Sequence, residues 1–179
     1  MNAITIFQNA LEETFPSLTI FSDVNWPEIT HEFIASHKEN PKSIEEFRAN
    51  FPLFLQQKAE MGDCPDYLFE LAFFELAQEQ ILASSYELPT SPGLFLNPSA
   101  TFLNLDYDVN LMLEEATKGS VKIFERSHIL SLYRHPEFGL MQKELSHDEI
   151  KILGQIEAGE EISEEQLKDL KEAGLVIQN

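Results

Sequence analysis

The sequence predicts an α+β protein, in which an N-terminal bundle of helices is followed by a small module of three strands and then helices. Apolar residues recur at helical spacing through residues 1–86, whereas from residue 101 the pattern changes to the alternation of strands. Between them, residues 87–100 ("ELPTSPGLFLNPSA") hold three prolines and one glycine, a composition typical of a linker. We therefore predict a helical domain at 1–86, a linker at 87–100 that is either a hinge or a packed connection, and an α+β module at 101–179.

The first three helices are indicated by apolar spacing and by capping residues. Pro16 ends the first, "AITIFQNALEETFP". Its apolar side chains lie three or four residues apart: Ile4, Phe7, Leu11 and Phe15. Asn25 is a suitable N-cap for the second helix, with Pro27 in its first turn. Ser43 and Glu46 have the spacing of a capping box, which starts a third helix running into "ANFPLFL".

The fourth helix, "CPDYLFELAFFELAQEQILASS", is apolar over more than half of its surface. Asp63 or Cys64 is predicted to cap it, and Pro65 takes the first helical position. We interpret it as the central, mostly buried helix of the bundle. Its carboxylates are predicted to lie along a solvated edge: Asp66, Glu70, Glu75 and Glu79. No second motif brings a metal or a base to them, which favours a scaffold over a catalytic helix.

The second half is predicted to open with a strand, "ATFLNLDYDV", and a short helix, "NLMLEEATKG", that ends at Gly119. Three further strands are predicted over "SVKIFERS", "HILSLYRH" and "GLMQKELS", with turns near Ser127–His128 and Pro136–Gly139.

Two helices and a tail complete the chain. Ser146 with Glu149, and Ser163 with Gln166, have capping-box spacing. Gly174 ends the last helix, and "LVIQN" is a short strand or a packed tail. Three strands followed by two helices indicate a winged-helix-like module.

The charge limits the classes of partner. The sequence has 31 acidic and 12 basic residues, a net charge of −19, so it repels phosphate backbones and we predict no nucleic-acid binding. The N-terminal "MNAITIFQNALEETF" lacks the basic start of a signal peptide, and no run of 18 apolar residues occurs. We therefore predict a cytoplasmic protein without a membrane partner.

Residues suited to catalysis are sparse. Cys64 is the only cysteine, which excludes an internal disulfide and a cysteine-based zinc site. His31 and His37 are six residues apart, so a straight helix does not place them on one face. No P-loop, nucleophile elbow or zinc-protease motif occurs, and the acidic run 157–172 lacks the pattern of a calcium-binding loop. We predict no catalytic, cofactor-binding or metal-ligating residue in this chain.

Several segments, taken in order, resemble the HvfC-type family. They are "NALEETFPSL", the run from His37 to Ser43 (H-x-x-x-P-x-S), a second Phe-Pro at Phe51–Pro52, and Pro65 to Leu68 followed by Glu75. The segments "LNLDYDVNLML" and "LMQKELSHDEIKILGQIEAGE" fit the second half of the family, so the resemblance covers most of the chain. Family members usually open with a further helical segment rich in tyrosine and arginine. This sequence begins after it, as expected for short members such as the methanobactin-biosynthesis partner protein.

The resemblance implies a non-catalytic partner subunit. Such proteins form a heterodimer with an iron-dependent oxidase of TIM-barrel type that modifies cysteines of a ribosomally made precursor peptide. They help to capture the leader of that peptide. The iron belongs to the oxidase, so no cofactor is expected in this chain. In some winged-helix-like modules the leader adds as a strand to the edge of the sheet, held by backbone hydrogen bonds.

Two candidate surfaces follow. Alternation in "VKIFERS" places Phe124 and Arg126 beside Lys122 on one side of a strand, and Tyr133 and Arg134 are of types enriched at interfaces. The predicted peptide-binding residues are Val121, Ile123, Phe124, Arg126, Leu132, Tyr133 and Arg134. The predicted oxidase interface consists of Phe51, Phe54, Tyr67 and Phe73. Ordinary sheet and core packing stays open as the alternative for both sets.

Two other functions compete with the partner subunit. A winged-helix DNA-binding regulator needs a basic recognition helix, whereas "SEEQLKDLKEAG" is net negative. An acidic inhibitor or DNA mimic would bind a basic protein, and salt would weaken that binding by screening.

Overall fold

The computed structural model describes residues 3–21, 25–36, 43–87 and 89–179, and it confirms the predicted α+β class. The part of the family-like motif from His37 to Lys42 lies outside these residues. The helices are α1 (Ala3–Thr14), α2 (Trp26–Ser36), α3 (Ile44–Glu60), α4 (Tyr67–Ala83), α5 (Val109–Thr117), α6 (His147–Ala158) and α7 (Glu164–Glu172), with a 3-10 helix at Pro16–Thr19. The strands are β1 (Leu94–Leu96), β2 (Thr101–Tyr107), β3 (Glu125–His135), β4 (Gly139–Leu145) and β5 (Val176–Gln178).

The chain divides into two compact units. The first unit is Met1–Leu76 with Leu105–Ser127, and the second is Ala77–Asn104 with His128–Asn179. This division differs from the boundary predicted at 87–100. The predicted linker carries β1, which pairs antiparallel with β5 near the end of the chain, and this pairing makes it part of the second unit.

The first unit is built on an aromatic core. The α1 helix packs on α2 and α3. The ring of Phe33 lies 4.7 Å from that of Phe47 and 4.9 Å from that of Phe51, measured between centroids. The predicted cap of α3 is present, since Ser43 Oγ accepts the N–H of Glu46 at 3.1 Å. These contacts account for the apolar spacing that the sequence shows in this region.

The second unit has a core of its own, formed by residues of β3 to β5, α6 and α7. Its buried members are Tyr133, Leu145, Ile152, Leu153, Ile156, Leu167, Leu170, Leu175 and Val176. Both capping boxes predicted for this unit are confirmed, Ser146 with Glu149 and Ser163 with Gln166. The tail forms β5, one of the two predicted outcomes.

The three-stranded sheet has the order β2-β3-β4, which differs from the predicted sequence of strands. The predicted turn at Ser127–His128 is wrong, because β3 runs unbroken from Glu125 to His135. Residues 120–124 form no strand, and Lys122 is ion-paired with Glu115 of α5 at 3.0 Å. The third strand of the sheet is therefore β2, which lies before α5 in the chain.

Among the residues described, no helix is both long and apolar enough to cross a membrane.

Candidate functional site

The outer side of β4 is the best candidate for a binding surface. β3 pairs with β2 on one side and with β4 on the other, in the register Ile129↔Leu145 to His135↔Gly139. No described strand pairs with the far side of β4. An edge strand presents a row of unpaired N–H and C=O groups, which can pair with another chain. β4 can therefore accept a further strand.

The side chains of β4 fix the strand while leaving its edge open. Met141 lies opposite Tyr133 and Leu145 lies opposite Ile129, so these residues share the face that packs on the core. Lys143 is ion-paired with Glu149 at the start of α6, with 2.9 Å between Nζ and Oε1. β4 is therefore held by packing of its core face and by an ion pair to α6.

The predicted peptide-binding residues of β3 do not lie on this edge. Leu132 and Tyr133 are buried, and Tyr133 donates its hydroxyl to the carbonyl of Ala173 at 2.8 Å. Arg134 is half-buried, and its backbone N–H donates to Ser99 Oγ at 2.8 Å. Since β3 is the central strand, its backbone is used on both sides, so these three residues offer no sheet edge to a peptide, and their role in peptide binding stays a prediction.

The other predicted peptide-binding residues belong to the first unit. Val121 and Ile123 are exposed, and Phe124 is half-buried with its carbonyl accepting the N–H of Asp108 at 2.8 Å. Arg126 donates from Nε to Asp108 Oδ2 at 2.9 Å, which ties it to the residue that caps α5. The predicted set is thus split between the two units.

Two of the four residues of the predicted oxidase interface are in the core. Phe51 and Tyr67 are buried, so the packing alternative accounts for both. Phe54 is half-buried and packs on Phe33, with 5.2 Å between ring centroids. Phe73 is also half-buried, and its ring lies edge-on to the ring of Phe69 on the same helix.

Two carboxylates of α4 are buried, which corrects the prediction of a solvated edge. Glu70 is 4% exposed, and its oxygens accept the backbone N–H groups of Asp106 and Tyr107 at 3.0 Å. These donors lie at the end of β2, where a carboxylate replaces the partner strand. Glu70 therefore binds the end of β2 to α4 inside the first unit.

Glu75 is the second buried carboxylate, and it anchors the 3-10 helix. The N–H and the hydroxyl of Ser17 donate to Glu75 Oε1 at 3.0 and 2.5 Å. Oε2 is buried and has no hydrogen-bond partner among the described residues. Burial raises the pKa of Glu75 to about 7, although the bonds from Ser17 act in the opposite direction.

Glu75 is expected to make stability depend on pH. Its pKa is higher in the folded state than the ordinary 4.5, so the folded protein retains this proton more strongly and becomes less stable as pH rises from 4.5 through about 7. The expected loss is about 3 kcal/mol in the free energy of unfolding. Urea unfolding from pH 4.5 to 8 should show this fall in the wild type, and Glu75→Gln should remove it. Glu12→Gln, an exposed site on α1, should keep the wild-type profile; parallel profiles for wild type and Glu75→Gln would contradict this account.

A surface cleft of about 310 Å³ contains the single cysteine. Lys58 bridges Glu32 at 2.6 Å and Asp63 at 3.2 Å, and Glu28 accepts a hydrogen bond from Asn25 Nδ2 at 2.9 Å. The Cys64 thiol donates to the carbonyl of Leu55 at 3.5 Å. Burial, followed by the nearby Asp66 and Asp63, raises the pKa of this thiol, so it stays protonated. A protonated thiol is a poor nucleophile.

The described residues contain no group of three or more His, Cys, Asp or Glu side chains placed to hold a metal ion. No protein-family model matches the sequence, and no curated protein is significantly similar to it.

Proposed function

We propose that the protein is a non-catalytic partner subunit in the cytoplasm. It forms a heterodimer with an iron-dependent oxidase of TIM-barrel type and helps to hold the leader of a precursor peptide whose cysteines the oxidase modifies. The order of the HvfC-type motifs supports this function at the level of sequence. The structural observation that carries it is the open edge of β4.

In this proposal the second unit acts as a winged-helix-like module. The β3–β4 hairpin followed by α6 and α7 supports that assignment, because it places a two-stranded wing directly before a helix pair. The leader extends along β4 and forms backbone hydrogen bonds with it. Side chains at alternate positions of the leader then meet the two faces of the sheet, which provides selectivity.

The strong negative charge fits this role better than nucleic-acid binding. At −19, the protein attracts cationic peptides and basic protein surfaces and repels phosphate backbones. Of the residues in α7, four are acidic and two are basic: Glu164, Glu165, Asp169 and Glu172 against Lys168 and Lys171. A winged-helix DNA-binding regulator therefore remains the weakest of the alternatives.

The acidic inhibitor is the second candidate, and one surface favours it. Five exposed glutamates surround the turn between α6 and α7: Glu157, Glu160, Glu161, Glu164 and Glu165. A dense surface charge of one sign suits a partner of the opposite sign, and salt at 0.1 M screens such attraction at separations beyond about 10 Å.

Affinity purification of the tagged protein from its native lysate tests the proposal. The eluate is analysed by mass spectrometry and for iron, after washes at low and at high salt. A stoichiometric iron-containing oxidase that survives the high-salt wash is the expected result. A basic protein that leaves with salt would instead favour the acidic inhibitor, and recovery of the protein alone would contradict the partner subunit.

A further inference from the structure

The turn between β3 and β4 is closed by a histidine side chain. His135 Nδ1 accepts the backbone N–H of Glu137 at 3.1 Å and that of Phe138 at 3.3 Å. A ring nitrogen that accepts two hydrogen bonds carries a lone pair and no proton. The turn is therefore built around neutral imidazole with its proton on Nε2.

The imidazole is packed on two sides. The Phe138 ring stacks on it, with 4.6 Å between centroids and 26° between planes. On another side lies Gly174, where an added Cβ would clash with His135 Cδ2. Gly174 also has a φ of +76°, so glycine suits this position both for its backbone and for the space that the ring occupies. The ring position is thus tightly determined.

We propose that the β3–β4 turn is a pH-sensitive device, in which protonation of His135 at Nδ1 opens the turn and releases Phe138. Histidine is the side chain whose charge ordinarily changes between pH 5 and 8. In the protonated ring both nitrogens are donors, so the N–H groups of Glu137 and Phe138 would face a donor instead of an acceptor. The turn then loses both of its closing hydrogen bonds together.

The charged groups nearest along the chain have opposite signs. They are Glu137 in the turn and Arg134 on β3. Lys171 and Glu172, at the end of α7 before Gly174, have opposite signs.

Opening of the β3–β4 turn affects Phe138, an exposed aromatic residue directly before β4. Phe138 is 68% exposed, an unusual state for phenylalanine, and Gly139 directly after it is the first residue of β4. An open turn changes how this ring is presented and frees the first residue of the edge strand. The device does not depend on the identity of any partner.

Three variants separate this device from a general effect of pH. In His135→Asn the side-chain oxygen can accept the same N–H groups, as in an Asx turn, and cannot be protonated in this range. In His135→Phe no acceptor remains at any pH. His31→Asn, at an exposed site on α2, controls for the loss of a histidine elsewhere.

The measurement is amide hydrogen exchange by NMR on the full-length protein from pH 5 to 8, corrected for the intrinsic pH dependence of exchange. In the wild type and in His31→Asn, exchange at Glu137 and Phe138 should accelerate about tenfold on lowering the pH, as expected for loss of about 1.4 kcal/mol of hydrogen bonding. The Gly119 amide, which donates to the Ala116 carbonyl in another turn, should show no such change. His135→Phe should exchange fast throughout.

The ring-nitrogen shifts of His135 give an independent readout that needs no variant. They should show the proton on Nε2 at pH 8. Protonation of Nδ1 at that pH, or corrected exchange rates that do not change in the wild type, would overturn the proposal. A His135→Asn variant with slow, pH-independent exchange would support it, and one that accelerates as the wild type does would assign the effect to another group.

Discussion

Asn97→Asp is expected to lower the free energy of unfolding of the second unit by about 3–5 kcal/mol. Asn97 is 2% exposed, and its Nδ2 donates to the carbonyls of Arg134 and Gly174 at 3.0 Å. Its Oδ1 accepts the N–H and the hydroxyl of Ser99 at 3.0 and 2.6 Å. This one amide therefore joins the segment after β1, the end of β3 and the turn before β5. A carboxylate of the same shape loses both donors and places a buried negative charge against two carbonyl oxygens.

Urea unfolding at pH 7 measures this loss, with Asn104→Asp on the exposed face of β2 as the matched control. The control should stay within about 0.5 kcal/mol of the wild type. Part of the loss should be recovered near pH 3, where the introduced carboxyl is protonated and can donate one hydrogen bond. An Asn97→Asp variant as stable as its control would show that this amide does not hold the three segments together.

Glu70→Ala is expected to lower the free energy of unfolding by about 2–4 kcal/mol, with Glu70→Gln about midway between alanine and the wild type. The alanine variant leaves the N–H groups of Asp106 and Tyr107 without the carboxylate that receives them. Glutamine keeps one carbonyl oxygen as an acceptor and loses the other. Comparison of the two variants therefore separates the effect of losing the charge from the effect of losing both acceptor oxygens of Glu70.

Two measurements on these variants check the mechanism. Urea unfolding gives the order of stability, and amide exchange at Asp106 and Tyr107 shows whether the end of β2 opens first. Glu60→Ala, at the exposed end of α3, is the control and should leave both measurements unchanged. Equal exchange at Asp106 in the wild type and in Glu70→Ala would contradict a role of Glu70 at this strand end.

Features encoded by neighbouring residues could be predicted from the sequence. Ser146 with Glu149, and Ser163 with Gln166, are three residues apart, and both pairs cap helices as expected. The two carboxylates of α4 could not be placed in this way, because Glu75 finds its partner at Ser17, 58 residues away. A signal was nevertheless present. The run "LFELAFFELA" is apolar on every side of the helix, so its glutamates have no solvated edge to occupy.

The candidate site was missed for the same reason. Alternation shows that a segment suits a sheet, but the position of a strand at the centre or the edge depends on pairing between distant segments. Leu132 and Tyr133 are on the central strand, whereas β4, a strand that the sequence did predict, lies at one edge of the sheet and β2 lies at the other. The prolines of 87–100 likewise indicate a linker, whereas the pairing of β1 with β5 and the hydrogen bonds of Asn97 make this segment part of the fold.

The most direct test of the central claim is amide hydrogen–deuterium exchange across β4, comparing the protein alone, with its co-purified oxidase, and with oxidase and precursor peptide together. A peptide that adds as a strand must form backbone hydrogen bonds along the outer side of this edge. We predict that exchange in Gly139–Leu145 slows only when the precursor is present. Exchange in α7 should be the same in all three samples. Slower exchange elsewhere in the presence of the precursor, with β4 unaffected, would contradict the assignment of this edge as the peptide site.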